Sequence, residues 1–235
     1  MKKIAFFVIA LVIISCGKEK HDLVVKTHVK GLKKGIVYLK KAVDTNLVTV
    51  DSVIVNGNPQ FELYSALESP EVFYLYLDKN SKEEDRITFF ADKGITEINT
   101  TLKNFAFDAK INGSEQQKVL EEYLTVISKL NNKDLDLIKE NFEAQKEGDT
   151  AKLNAIQKHY NNSLRRKYLF TVNFAINNKD SEVAPYLALT EIYNAQLNFL
   201  DTINKSLTPK VKASKYGKAL EEFIQKIEAQ EGQPE

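Results

Sequence analysis

Hydrophobic and polar positions alternate with a period of two in the first half of the chain and recur with a helical period in the second. Leu23, Val25, Thr27 and Val29 alternate with Val24, Lys26, His28 and Lys30, as expected of a strand with one buried face. Further short segments follow at 36–40, 48–55, 60–64, 72–77, 86–91, 96–101 and 105–111. The run at 72–77 is continuously apolar and aromatic, as in a strand covered on both faces. Asn56-Gly57-Asn58-Pro59 reads as a hairpin turn between two alternating runs, and Gly31 through Gly35 as a hairpin connection. Residues 23–112 are therefore predicted to form an antiparallel β-sandwich or barrel of about eight strands.

The period changes at Gly113-Ser114. Ser114 and Gln117 fit a capping box, and Val119, Leu120, Tyr123, Leu124, Ile127 and Leu130 then recur at helical spacing. A second helix is predicted over 134–146 with Leu135, Ile138 and Phe142 inward, and Gly148-Asp149-Thr150 starts a third that runs to Asn177. The third carries a stripe of Leu153, Ile156, Tyr160, Leu164, Tyr168, Val172 and Ala175. Leu169, Phe170, Phe174 and Ile176 make its second half apolar nearly all round, so it is expected at the centre of the helical half. Helices over 182–192, with Pro185 in the first turn, 194–207 and 214–229 complete about six. The fold class is α+β: a β-domain followed by a helical domain over 113–230 and a tail over 231–235.

Residues 1–15 have a different pattern. Lys2 and Lys3 precede an unbroken apolar run, and Ser15-Cys16 closes it, as in a secretory signal. A small residue followed by cysteine resembles a bacterial lipobox. The run is shorter than the ~20 residues of a bilayer-spanning helix, and it lacks the polar face of a surface core helix. Cys16 is thus expected to be a lipidation site, with 16–22 as a tether to a membrane. One acyl chain holds marginally and two or more hold stably. The expected location is the cell envelope, at the outer membrane, with the leaflet left open.

Charge and cysteine content narrow the function. Lysine plus arginine number 33 against 32 acids, without the basic excess that accompanies nucleic-acid binding. The short run Arg165-Arg166-Lys167 reads as a solvated helix face. Cys16 is the only cysteine, so once it is acylated thiol catalysis, disulfides and zinc–thiolate sites have no residues to use within the chain. His21, His28 and His159 are not at metal-ligand spacing. Glu83-Glu84-Asp85 reads as a solvated loop tip, and Asp134 with Asp136 as charges at a helix N-terminus. No nucleophile elbow, Walker loop or dinucleotide fingerprint is present. Phe73, Tyr74, Tyr76, Phe89, Phe90, Phe105 and Phe107 are expected in a core, with a ligand cavity as the alternative. No catalytic residue, metal or cofactor is expected, and the chain reads as a non-enzymatic binding or positioning module.

Several short motifs, in order, carry a family resemblance. They are the lipobox, Val29-Lys30-Gly31-Leu32, Gly35-Ile36-Val37-Tyr38-Leu39, Val50-Asp51-Ser52-Val53, Val55-Asn56-Gly57 with Phe61, Ser69-Pro70, Ile111-Asn112-Gly113-Ser114 and Ser214-Lys215-Tyr216-Gly217. Together they resemble the domain of unknown function that precedes the thioredoxin-like domain in lipoproteins of the Bacteroidetes. In that family a thiol–disulfide oxidoreductase or peroxiredoxin-like domain follows, often opening with Gly-Gln-x-x-Pro. This sequence ends in Gly232-Gln233-Pro234-Glu235, where that domain would start. The resemblance implies a location and an architecture and no activity for these residues; the alternative reading adds a separately encoded thioredoxin-like envelope protein as partner.

Overall fold

The computed structural model describes residues 21–44, 46–78 and 85–231. The signal, Cys16 and most of the tether and tail lie outside these residues, as do Glu83 and Glu84.

Eight strands form two four-stranded sheets. They are β1 (Leu23–Lys30), β2 (Lys34–Val43), β3 (Asn46–Asn56), β4 (Gln60–Ser65), β5 (Glu71–Tyr76), β6 (Ile87–Ala91), β7 (Gly94–Thr101) and β8 (Lys110–Asn112). One sheet runs β4-β1-β7-β8 and the other β3-β2-β5-β6. All pairings are antiparallel except β1 with β7, which is parallel. Leu23, Val25, Thr27 and Val29 of β1 point inward as their alternation requires. They meet Val37, Leu39, Phe73, Leu75, Ile87 and Phe89 of the other sheet in one apolar core.

Both proposed hairpin turns have a different role. Gly31–Gly35 and Asn56–Pro59 each carry the chain from one sheet to the other, because β2 pairs with β3 while β1 pairs with β4. Gly57 has φ +92° and donates to Lys33 O at 2.7 Å, so the two crossings brace each other. Asn-Gly encodes the local reversal, but the pairing partners are chosen by which faces must be buried. The last predicted strand is mostly a turn: residues 103–108 coil, Phe105 plugs the core, and only Lys110–Asn112 pairs.

Six helices follow: α1 (Glu115–Glu147), α2 (Thr150–Asn177), α3 (Val183–Thr190), α4 (Leu197–Ser206), α5 (Pro209–Lys212) and α6 (Lys215–Glu231). The two helices predicted over 114–146 are a single one, α1, about 50 Å long at 1.5 Å per residue. No proline or glycine interrupts it, and Gly148 ends it in the left-handed conformation. The centre of the helical half is α3, not α2: Val183, Ala184, Leu187 and Ala188 are fully buried, while Leu169 of α2 is exposed.

The two halves share a second core. Val72 of β5 and Phe90 of β6 face away from the sandwich and pack on Leu120, Tyr123, Ile127, Val183 and Leu187. This double covering is why 72–77 reads as a continuous apolar run. None of the helices among the described residues is long and apolar enough to cross a membrane.

Candidate functional site

The junction between the halves is built from polar groups as well as rings. Ser114 Oγ accepts from Gln117 N at 3.1 Å, as the capping box requires. The Gln117 side chain does not return to the cap. Its Oε1 accepts from Phe90 N at 2.8 Å, closing an N–H of the edge strand β6. Asp92 supplies the missing part of the cap: its Oδ2 accepts from Glu115 N at 2.7 Å, Gln116 N at 3.2 Å and Ser114 Oγ at 3.1 Å. On the far side Tyr216 Oη accepts from Val72 N at 3.0 Å. Burial pushes the Tyr123 and Tyr186 hydroxyls up to about 12 and raises that of Tyr216 too. All three are neutral hydrogen-bonding groups at physiological pH.

A cleft of about 590 Å³ opens beside this junction, between β2, the β4–β5 connection and the start of α6. Glu71 is buried in its wall. One carboxylate oxygen accepts from Lys41 at 2.8 Å and the other from Lys215, which also donates to Ala42 O at 2.8 Å. With both oxygens bound by lysines, Glu71 ties α6 to the sheet.

An open apolar surface lies on the helical hairpin. Beyond Leu130, α1 and α2 run as a two-helix rod for about 25 Å, and no described residue between Leu130 and Tyr168 joins the helical cores. Tyr123, Ile127, Leu130, Asp134, Leu137, Asn141 and Ala144 of α1 follow heptad spacing, and all are buried or half-buried. At the base of the rod, Asp134 accepts from Ser163 at 2.5 Å and pairs with Lys167. Burial works to raise this carboxyl, but the bonds from Lys167 and Ser163 outweigh it and hold it below the ordinary carboxylate value. Asp134 is thus a mid-helix interhelical group, not a helix-terminal charge. Lys167 is its partner, while Arg165 and Arg166 are exposed.

Leu135, Ile138 and Phe142 are not inward. They are 62%, 52% and 63% exposed and form a stripe at i, i+3 and i+7 beside the seam. Exposed Tyr160 and Leu164 of α2 flank the seam as well. A shallow groove lined by Leu137, Ile138, Asn141, Ile156, Gln157 and Tyr160 joins the two helices on that side. The hairpin therefore presents one apolar face to solvent.

The remaining candidates are dispersed. His21 lies against the Tyr64 ring at 4.5 Å, His28 is on the outer face of β1 and His159 is exposed on α2. Phe73, Phe89 and Phe105 fill the sandwich, Tyr74 and Phe90 lie at the junction, Tyr76 packs under Lys40, and Phe107 is exposed. Among the described residues no group of three or more His, Cys, Asp or Glu side chains could hold a metal ion. Asp92 and Glu71 were missed in the sequence because their partners are 22 or more residues away.

Residues 23–120 match a family model described as a domain of unknown function (DUF4369). The match spans all eight strands and the first turns of α1, so the β-half with its junction to α1 is a domain of unknown function. Searches of curated proteins and of solved structures return no match.

Proposed function

We propose that the chain is a lipid-anchored cell-envelope protein that acts, without catalysing a reaction, as a binding or positioning module at the outer membrane. The observation that carries this reading is Cys16, placed directly after an apolar run and seven residues before β1. Such a tether spans at most about 25 Å, which would hold the β-half close to the bilayer. Asp22, at the end of the tether, bonds Lys93 at 3.2 Å, next to the Asp92 cap of α1. The helical hairpin would then start near the anchored end and reach away from it. The test is mass spectrometry of the N-terminal peptide from membranes, together with Cys16→Ala. An acylated Cys16 is expected, and the variant should leave the mature membrane-bound form. An unmodified cysteine, or membrane retention of the variant as a processed chain, would overturn the anchor.

A second reading draws on the family match, which covers residues 23–120 and with them the motifs between Val29 and Ser114 that resemble the thioredoxin-associated lipoprotein domain of the Bacteroidetes. The chain would be the membrane-side accessory half of a thiol–disulfide system, presenting a thioredoxin-like partner. Crosslinking in cells separates the two readings: enrichment of a Cys-X-X-Cys protein supports the second, and its absence supports a stand-alone module.

A further inference from the structure

We propose that Glu182 is a proton-operated latch at the root of the α1–α2 hairpin, holding the hairpin to α3 while its carboxyl is neutral and weakening that hold when it is charged. The inference stands on the packing of this turn and does not depend on the lipid anchor.

Both ends of the hairpin meet at this turn. α1 begins at Glu115 and α2 ends at Asn177. The chain leading from α2 into α3 lies against the first turn of α1, where Ser181 Oγ donates to Gln116 Oε1 at 2.6 Å. It is also tied to the start of α5, since Thr208 N donates to Lys179 O at 3.1 Å. Glu182 is enclosed among these contacts and is 1% exposed. It precedes α3 in the position of a cap, yet its side chain makes no capping bond. Its Oε2 is buried without a hydrogen-bond partner among the described residues. A carboxylate held in that way is costly when charged and much less so when protonated.

The surroundings do not offset the charge. Lys210 of α5 favours the carboxylate, while Asp92, between β6 and β7, and Asp180 of the turn itself oppose it. From α1 the nearest contact is the uncharged Gln116, and Glu115 is turned to solvent with Lys118. Asp92 is already committed to the cap of α1 by three hydrogen bonds. Burial is the largest influence on Glu182. Its own backbone N–H and Lys210 work against burial without overcoming it, so the carboxyl lies above its ordinary value of 4.5. Below that ordinary value the group is protonated whether the turn is closed or open, and the closed turn bears no charge penalty. As the pH rises through the raised value, the closed turn loses stability relative to the open one.

The test is hydrogen exchange at the Ala184 and Tyr186 amides, which donate across the turn to Ser181 O at 3.1 Å and Glu182 O at 3.3 Å and exchange when it opens. The full chain, purified in a mild detergent, needs neither export nor acylation of Cys16. Dividing the wild-type rate by that of Glu182→Gln at each pH removes the intrinsic pH dependence of exchange. The ratio is expected to be flat below 4.5 and to climb about tenfold by about pH 8. The same climb is expected against Glu182→Met, which keeps the length of the side chain without a charge. Lys210→Met, made with and without Glu182→Gln, should enlarge the climb, because it removes a cation that favours the charged form. A ratio flat across the range, a ratio that falls as pH rises, or a climb that Lys210→Met leaves unchanged would overturn the proposal. Export and lipidation enter none of these measurements, so failure here is distinguishable from failure of the anchor.

Discussion

Asp92 shows how much one side chain can organise. It accepts from two backbone amides and from the Ser114 hydroxyl at the start of α1, while Ser114 satisfies only Gln117 N. Asp92→Ala is therefore expected to cost about 1–2 kcal/mol and Ser114→Ala less than Asp92→Ala, measured by urea denaturation. Equal costs would mean that the Asp92 bonds add nothing to the cap. Asp134 supplies a pH-dependent prediction. Its carboxyl is held below its ordinary value of 3.8, so its stabilisation is present above that value and is lost as pH falls through the folded one. Asp134→Ala, which leaves Lys167 half-buried without its carboxylate, should cost about 1–3 kcal/mol at pH 7. Deuterium exchange of the hairpin amides between 131 and 160 should be faster in Asp134→Asn than in the wild type at pH 7, and the two should converge as the solution is taken below the carboxylate range.

At the scale of elements, two close approaches fix where helices meet their neighbours. A Cβ on Gly217 would lie 2.0 Å from Val211 O and 2.8 Å from Lys212 O, because the first turn of α6 sits directly on α5. Gly113, at φ +98°, would place its Cβ 2.2 Å from Ile95 O. Gly217→Ala is expected to destabilise by more than about 2 kcal/mol, well beyond the ordinary effect of an exposed substitution; thermal melting decides it, and an unchanged midpoint would mean that α5 yields freely. The polar layer of Asp134, Ser163 and Lys167 gives the hairpin its register, since slipping either helix by a turn would leave a half-buried charge without its partner.

Across the whole molecule, stability should be uneven. The body is held by two sheets, α3 and a junction whose rings and hydrogen bonds engage both halves. It should unfold in one cooperative step reported alike by far-ultraviolet and tyrosine signals. The distal rod packs only on itself, so amides between 131 and 160 are expected to exchange with deuterium faster than those of α3. Replacing 131–166 by a short glycine-rich turn should leave the melting midpoint of the body nearly unchanged. A large drop would show that the rod contributes to the body.

The local signals in the sequence were those that depend on neighbours along the chain. The two periodicities, the change at Gly113-Ser114, the Ser114 cap, the inward face of β1 and the double covering of 72–77 each depend on residues a few positions apart. What tertiary structure decided were the choices among distant partners. Asn56-Gly57 encodes a reversal but cannot specify that the next strand joins the other sheet. The apolar spacing of Leu135, Ile138 and Phe142 marks a face without saying whether this chain has anything to lay against it. Asp92 and Glu71 gain their roles only when β6 meets α1 and β5 meets α6. Burial is a property of the assembled surfaces, and the candidate site, an apolar helix face left uncovered, becomes visible only once the sheets and the other helices have been packed.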